Sequence, residues 1–353
     1  MDMKRWIIRT AASLIAAAVL FSVTVFAKTE ISAVYGVLMD AQTNQILWER
    51  RMDEPALIAS TTKIMTGLLV SEHCCMDDVV TISKEAVGVE GSSLYLQEGE
   101  QRTVEELLYG MMLHSGNDAA TALALHCSGS LDAFVEQMNR KADTLQLCHT
   151  QFANPHGLDS KGNYASAQDL AKLTACAMEN PIFHRVVGTK TIAFENRSYT
   201  NHNKLLWSYD GAIGVKTGYT RQAGRILVSS AERNGRRLIA VTIDAPDDWQ
   251  DHRNLLDMGF SRYTEKQLVS KDQVFSAVPV MNGEAVAAEA VAAEDFSWAT
   301  AEDEEIVYQC NVPTFVYAPI MAGDMAGTIQ IQVNGVVVGE VPLVWRTTVW
   351  EES

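Results

Sequence analysis

Amphipathic helical stripes fill the middle of the first two thirds of this chain, and strand-like runs lie on either side of them. The helical periodicity covers five segments, at 60–72, 104–113, 118–127, 131–147 and 167–179. The strand-like runs follow a hairpin pattern at 31–49 and return at 189–194, 211–217, 224–232 and 237–244. Strands at both ends with helices between them predict an α+β fold, in which a helical cluster packs on an antiparallel sheet. A last helix near 250–258 would cover that sheet.

The pattern changes at about residue 264, where the helical stripes stop. The segment TIQIQVNGVVVGEVPLV alternates strictly around Asn334-Gly335, which is a strong hairpin signal. The segment GEAVAAEAVAAEDF is ambiguous, because its alanines favour a helix whereas its position favours a strand, and we favour the strand. We expect a larger domain over 28–263, a small all-β domain over 264–346 and a short tail over 347–353.

The N-terminus has the layout of a secretory signal peptide. Lys4, Arg5 and Arg9 precede an apolar stretch that ends near Ala27. We predict a signal peptide over 1–27 and cleavage after Ala27. The alternative is an uncleaved membrane anchor, but a span needs about 20 apolar residues and polar residues interrupt this stretch. In both cases the rest of the chain is predicted to lie outside the cytoplasm, with membrane contact only if the leader is retained.

Charge and cysteine content narrow the function classes further. The formal net charge of −16 argues against nucleic acid as a partner. The six cysteines are too few and too scattered for a disulfide framework, and none forms a CxxC pair. We interpret them mainly as small core residues, although the adjacent Cys74 and Cys75 would allow a cross-link. The sequence implies no metal or organic cofactor.

Three short motifs carry the chemistry: Ser60-Thr61-Thr62-Lys63, Ser115-Gly116-Asn117 and Lys216-Thr217-Gly218. Each motif alone is weak evidence of an active site, and Ser60 by itself would be interpreted as the N-cap of a helix. Lys63, however, follows one helical turn later on the same face, so its amine reaches the Ser60 hydroxyl. A serine needs such a base to act as a nucleophile, and a lysine serves only if burial or nearby positive charge lowers its pKa. Ser60 is therefore the predicted nucleophile and Lys63 the base.

The other two motifs supply proton transfer and substrate binding. Ser115 lies in a helix-to-helix turn and would relay protons, while Asn117 would donate to a peptide carbonyl of the substrate. Lys216 and Thr217 provide a cation and a hydroxyl for a free carboxylate. Gly218 leaves room for a substrate backbone beside its strand.

These motifs in this order resemble the active-site signature of penicillin-binding proteins and serine β-lactamases. The chain is most similar to the low-molecular-mass penicillin-binding proteins with D-alanyl-D-alanine carboxypeptidase activity, serine peptidase family S11. The resemblance extends from about Ser32 to Val344 and includes the segments FANPHGLD, TNHNKLLW, DGAIGVKTGYTRQAG and LLDMGF.

The resemblance implies a transpeptidase-like catalytic domain over 28–263 and removal of the terminal D-alanine from peptidoglycan stem pentapeptides. It also implies β-lactams as inhibitors, a role in cell-wall synthesis and cell shape, and an oxyanion hole formed by the backbone N–H groups of Ser60 and Tyr219. His156 is assigned a structural role in its loop. Some relatives place an arginine in the stretch after the sheet to assist carboxylate binding; Arg253 is the only arginine that APDDWQDHRNLL offers here, and it is not included in the site.

One further departure from the family pattern and three rival functions qualify this assignment. Only WRTTVWEES follows Val344, too short for the membrane-lying terminal helix of many relatives. A β-lactamase would need a loop glutamate, and the usual ExxLN pattern is missing between 118 and 215. A non-catalytic wall-binding module is disfavoured by the intact motifs. The sequence does not distinguish a DD-endopeptidase or transpeptidase from a carboxypeptidase, since these reactions differ only in the acceptor and the leaving group.

Overall fold

The computed structural model describes residues 30–353, and the predicted leader at 1–27 lies outside these residues. No helix within 30–353 is both long and apolar enough to cross a bilayer. The elements up to residue 262 are, in chain order, β1 Tyr35–Asp40, β2 Ile46–Arg50, β3 Ala56–Leu57, α1 Lys63–His73, β4 Val79–Thr81, β5 Gln101–Thr103, α2 Val104–Leu113, α3 Asn117–Ser128, α4 Leu131–Thr144, β6 Tyr164–Ala165, α5 Ala167–Glu179, α6 Pro181–Gly188, β7 Thr191–Phe194, β8 Arg197–Thr200, α7 Leu205–Ser208, β9 Ala212–Thr220, β10 Gly224–Arg233, β11 Arg236–Ile243 and α8 Asp248–Arg262.

A five-stranded antiparallel sheet in the order β2-β1-β11-β10-β9 forms the centre of this region. The predicted N-terminal hairpin is its β1–β2 edge, and β1 pairs with β11 from Tyr35 opposite Ile243 to Asp40 opposite Leu238. The chain therefore returns from the helical cluster to close the sheet against its own first strand. The predicted α+β class is confirmed.

Alternation along the strands gives the sheet two buried faces. On β11, Ile239 and Val241 face the large core that includes α1, α2, α3 and α5. Leu238 and Ala240 point the other way, into a smaller core with Leu255 of α8. A sheet covered on both sides holds its strands rigidly, which suits the edge strand β9 for presenting site residues.

Two elements differ from the sequence expectation. The run at 189–194 is a strand, but β7 pairs only with β8 and forms a hairpin outside the central sheet. The helix α6 was missed, although its start carries a clear signal. Asn180 accepts hydrogen bonds from the backbone N–H groups of Ile182 and Phe183, and Pro181 occupies the first helical turn.

The remaining residues form an all-β domain, whose strands are β12 Thr264–Val269, β13 Val274–Met281, β14 Ala287–Ala292, β15 Phe296–Thr300, β16 Ile306–Asn311, β17 Val316–Tyr317, β18 Met325–Val333 and β19 Val336–Trp345. Six of them form a sheet in the order β16-β18-β19-β14-β13-β17. The hairpin at Asn334-Gly335 is confirmed, with both residues at positive φ, and so is the strand in the ambiguous alanine-rich segment. Val349, in the predicted tail, is buried and pairs with Ile320.

A side-chain amide joins the all-β domain to the central sheet. Gln45 donates to the Ala299 carbonyl at 2.7 Å and accepts from the Ala299 N–H at 3.0 Å. Ala299 also belongs to the small core on the α8 side of the sheet. The β12–β15 ribbon is thereby attached to the sheet through both polar and apolar contacts.

His252 of α8 connects that helix to the central sheet through buried hydrogen bonds. Its ring is fully buried, and its two nitrogens contact the hydroxyls of Ser229 at 2.5 Å and Thr242 at 2.9 Å. Burial lowers the pKa of His252 to about 3. The folded protein therefore keeps this imidazole neutral over a pH range in which the unfolded chain protonates it.

We predict that His252 makes the folded state lose stability as the pH falls. Its contribution is complete above the unfolded pKa of about 6.5 and is lost from there down to about pH 3, at about 1.4 kcal/mol per pH unit. Urea unfolding between pH 4 and 7 measures this slope, which should be shallower in His252→Gln. The exposed His149 provides the control, since His149→Gln should keep the wild-type slope; equal slopes in both variants would contradict the assignment.

Candidate active site

The three motifs meet at one pocket of about 350 Å³. Ser60, Ser115, Thr217, Gly218 and Tyr219 line its wall. Lys63, Asn117 and Lys216 lie directly beneath, each less than a tenth exposed. The fold thus brings together all eight residues selected from the sequence. The motifs come from three elements: the start of α1, the turn between α2 and α3, and the edge strand β9.

Ser60 lies in a 3₁₀ turn, Ala59–Thr62, that leads directly into α1. Ala59 has the left-handed φ of 43°, which is unusual for a residue with a Cβ. This strained entry sharply turns the chain just before the hydroxyl. The Ser60 Oγ then lies 3.1 Å from the Lys63 Nζ, as the one-turn spacing predicts.

Lys63 is fully buried and contacts three oxygens. Its Nζ lies 3.1 Å from the Ser60 Oγ, 2.7 Å from the Asn117 Oδ1 and 2.5 Å from the His156 carbonyl. Burial, and then the charge of Lys216, hold the pKa of Lys63 well below its usual range; Asp118 opposes this less strongly. A neutral amine donates two hydrogens, to the amide and the carbonyl, and turns its lone pair towards the Ser60 hydroxyl.

Lys216 forms a second buried amine on the other side of the pocket floor. Its Nζ lies 3.2 Å from the Ser115 Oγ and 2.9 Å from the Thr217 carbonyl. Burial lowers the pKa of Lys216 to about 7. Ser115, held at a φ of 67° between the two helices, is therefore a hydroxyl in contact with an amine that titrates near neutrality.

Asn117 occupies a more central place than the sequence indicated. Its Oδ1 accepts from Lys63, while its Nδ2 donates to the Glu90 carbonyl at 2.6 Å and its backbone N–H donates to the Ser92 carbonyl. The side chain therefore holds the amine of Lys63 and the loop around residue 91 together. Its second amide hydrogen is the one left for a substrate carbonyl.

Two glycines let neighbouring backbones approach Ser60 closely. A Cβ on Gly218 would lie 3.3 Å from the Ser60 nitrogen, in the path of anything approaching that N–H. A Cβ on Gly157 would lie 1.9 Å from the Ala59 carbonyl oxygen, and Gly157 also has a φ of +92°. The loop containing His156 thus packs directly on the backbone that presents Ser60.

The side chains of His156 and Arg253 do not line the pocket. Neither residue belongs to the site predicted from the sequence. The His156 Nδ1 accepts from the Leu158 N–H in its own loop, and its carbonyl accepts from Lys63. Burial and the charge of Lys63 lower the pKa of His156 to about 4. Arg253 donates to Ser208 on the exposed surface.

The sequence reasoning missed the far wall of the pocket, where Arg225 and Asp248 form an ion pair at 2.8 Å. Asp248 is buried, whereas the Arg225 side chain is 45% exposed and so has free donors facing the pocket. Arg225 lies opposite Tyr219 in the β9–β10 pairing. Arg225 could have been found from the sequence by pairing the two strands of the predicted hairpin outward from the Lys216-Thr217-Gly218 motif. His202, Lys204 and Trp249 complete this wall.

Two family models match the chain. The model described as D-alanyl-D-alanine carboxypeptidase, peptidase S11, matches residues 22–247. The model described as the C-terminal domain of penicillin-binding protein 5 matches residues 263–351. The D-alanyl-D-alanine carboxypeptidase DacF of Bacillus subtilis is 34% identical over 323 residues, which are 87% of this chain and 83% of that protein.

Solved structures agree with this result. Penicillin-binding protein 5 from Haemophilus influenzae superposes with a TM-score of 0.75 at 30% identity, covering 91% of this chain and 98% of its own. A variant of the Streptomyces K15 DD-transpeptidase gives a TM-score of 0.64 at 34% identity, covering 66% of this chain and 100% of its own.

We predict that Gly157→Ala disrupts the site, because the new Cβ would displace the Ala59 carbonyl and with it Ser60. Labelling by a fluorescent penicillin, which we expect at Ser60, should slow roughly 100-fold, as expected for a displacement of about 1 Å. Gly162→Ala in the same loop is the matched control, since its Cβ would make an ordinary 3.5 Å contact with Ala153. Circular dichroism should show both variants folded; equal labelling rates would refute the role of this close packing.

Proposed function

Because the chain belongs to the D-alanyl-D-alanine carboxypeptidases of peptidase family S11, we propose that it removes the terminal D-alanine from peptidoglycan stem pentapeptides through an acyl-enzyme on Ser60. It is a serine hydrolase by family membership. One observation carries the mechanism. The Ser60 Oγ lies 3.1 Å from the amine of Lys63, and burial favours the neutral, basic form of that amine.

In the acylation step, Lys63 takes the Ser60 proton as the Oγ attacks the carbonyl between the two D-alanines. Negative charge moves to the carbonyl oxygen, which the N–H groups of Ser60 and Tyr219 are expected to hold. The carbon–nitrogen bond then breaks, and the departing D-alanine amine takes the proton that Lys63 removed from Ser60, which passes through the Ser115 hydroxyl and leaves Lys63 neutral again. General-base assistance of this kind typically contributes about 10²–10⁴ in rate.

In the deacylation step, water replaces D-alanine and attacks the ester carbonyl. Lys63 accepts the water proton, with the Ser115 hydroxyl as relay, and returns a proton to the Ser60 oxygen as the ester bond breaks. Lys216 contacts Ser115 at 3.2 Å, so its amine can exchange protons with this relay near neutral pH. No further base is required for a complete catalytic cycle.

The substrate carboxylate is assigned to the strand side of the pocket. Thr217 offers its hydroxyl, Lys216 its charge and Arg225 the guanidinium hydrogens that are not used by Asp248. A free carboxylate next to the scissile bond distinguishes a carboxypeptidase substrate from an internal peptide. Arg225 thus fills the role for which Arg253 was considered.

We assign catalysis to residues 28–263, with 264–346 as an accessory β domain and 347–353 as its tail. The enzyme is expected to act outside the cytoplasm, after removal of the leader, on cell-wall peptides and to be inhibited by β-lactams. Transpeptidation is the second candidate activity, since one solved relative is named a DD-transpeptidase. An amine in place of water as acceptor would use the same acyl-enzyme.

The test is chromatography of a pentapeptide ending in D-Ala-D-Ala after incubation with the full-length protein. We expect release of free D-alanine and a tetrapeptide, together with an intact-protein penicillin adduct that persists for minutes. Ser60→Ala should lose both activities while unfolding at the wild-type temperature. Products joined to an added acceptor amine would favour the transpeptidase, and rapid penicillin turnover without an adduct would identify a β-lactamase.

We predict that Arg225→Gln raises KM for the pentapeptide by ~10- to 100-fold, the loss expected for a charge-assisted hydrogen bond, with a smaller change in kcat. A peptide amidated at its C-terminus should be hydrolysed equally by the variant and the wild type. Arg253→Gln is the matched control and should leave KM unchanged. An unchanged KM in a folded Arg225→Gln variant would remove this residue from the carboxylate site.

A further inference from the structure

The wall of the pocket around Arg225 is built by side chains from three separate elements. Arg225 comes from β10, Asp248 and Trp249 come from the first turn of α8, and Lys204 immediately precedes α7. The buried Asp248 carboxylate accepts from the Arg225 guanidinium at 2.8 Å and from the Trp249 N–H at 2.9 Å. One carboxylate therefore fixes both the guanidinium and the backbone from which the indole ring of Trp249 extends.

A second contact holds the Trp249 ring itself. The Lys204 Nζ lies 5.9 Å from the centroid of that ring, within the range of a cation–π contact. Trp249 is only partly exposed, and both side chains line the same pocket as Arg225. An indole is large and rotates about only two side-chain bonds. The ring therefore occupies a defined volume on the Arg225 side of the pocket.

This volume matters because of the covalent structure of the leaving residue, which is the residue on the C-terminal side of the scissile bond. Its carboxylate and its side chain are attached to the same Cα. When the carboxylate binds at Arg225, the side chain must begin two bonds away from it. In D-alanine this side chain is a single methyl group, and every longer side chain needs further space beside the guanidinium.

We propose that Trp249, held by Lys204, is a specificity-determining residue that restricts the leaving residue to a small side chain such as the methyl group of D-alanine. The proposal rests on the proposed function, because it takes the position of the substrate carboxylate from Arg225. A longer side chain would compete with the indole for the space beside the guanidinium. A pocket of this kind discriminates by about 10- to 200-fold for each methylene group.

The same wall bears on the choice between carboxypeptidase and endopeptidase activity. In a cross-linked stem peptide the leaving group does not end after one small residue but continues into a second stem. Such a leaving group would need the space that Trp249 and Lys204 occupy. The substrate class is therefore uncross-linked peptides that end in one small D-residue with a free carboxylate.

The test compares two pentapeptides that differ only in the leaving residue, one ending in D-Ala-D-Ala and one in D-Ala-D-Leu, with the full-length protein and chromatography of the released amino acid. We expect the wild type to have a kcat/KM at least about 100-fold higher for the D-Ala-D-Ala peptide. Trp249→Ala should reduce this ratio by at least about 10-fold, mainly by raising kcat/KM for the D-Ala-D-Leu peptide. Lys204→Ala, which releases the ring, should reduce the ratio by a smaller factor.

Trp207→Ala is the matched control, because Trp207 lies on α7, is half-exposed and does not line the pocket. This variant should keep the wild-type rates on both peptides. If Trp249→Ala fails to fold, Trp249→Leu removes the indole while keeping an apolar residue and gives the same readout.

Two results would overturn the proposal alone. In the first, the wild type releases D-alanine but hydrolyses both peptides with similar kcat/KM. In the second, a folded variant that lacks the Trp249 indole keeps the wild-type ratio. If the wild type instead releases no D-alanine from the D-Ala-D-Ala peptide, the proposed function is refuted and this proposal with it.

Discussion

The buried amine of Lys63 is the constraint on which the rest of this site depends. A charged lysine in the core costs several kcal/mol unless a carboxylate pairs with it, and no carboxylate of residues 30–353 forms an ion pair with Lys63. The protein instead supplies two neutral acceptors, the Asn117 side chain and the His156 carbonyl. These partners satisfy a neutral amine and leave its lone pair for Ser60. The proposed role of Lys63 as a base thus follows from how this lysine is buried.

Keeping Ser60 next to the Lys63 amine requires two neighbouring backbone segments to approach Ser60 more closely than residues with a Cβ would allow. Gly157 brings one loop onto the Ala59 carbonyl, and Gly218 brings β9 close to the Ser60 nitrogen. Ala59 and Ser115 are held in the left-handed region, where non-glycine residues are strained. Such positions persist only when the surrounding packing over-determines them. Here a sheet buried on both faces and a fully packed helical cluster provide that support.

Sequence reasoning succeeded where chemistry is encoded in local spacing. The helical interval from Ser60 to Lys63 predicted their contact, and the three motifs in order indicated a single site, in which Ser115 and Lys216 are found 3.2 Å apart. Sequence reasoning failed where a residue reaches the site through strand pairing or contributes a main-chain atom. Arg225 reaches the pocket only because β10 pairs with β9, and His156 contributes a carbonyl that its side-chain type does not reveal.

The proposed mechanism also explains why one site could turn over a peptide yet be blocked by a β-lactam. In this mechanism Lys63 and Ser115 serve both half-reactions, acting first on the Ser60 hydroxyl and then on water. After peptide cleavage the D-alanine departs, and the space beside Arg225 and Thr217 opens to solvent. A β-lactam ring opens without releasing a fragment, so its carboxylate-bearing remnant stays in that space. Water then cannot reach the ester from the side of Lys63 and Ser115, and the acyl-enzyme persists.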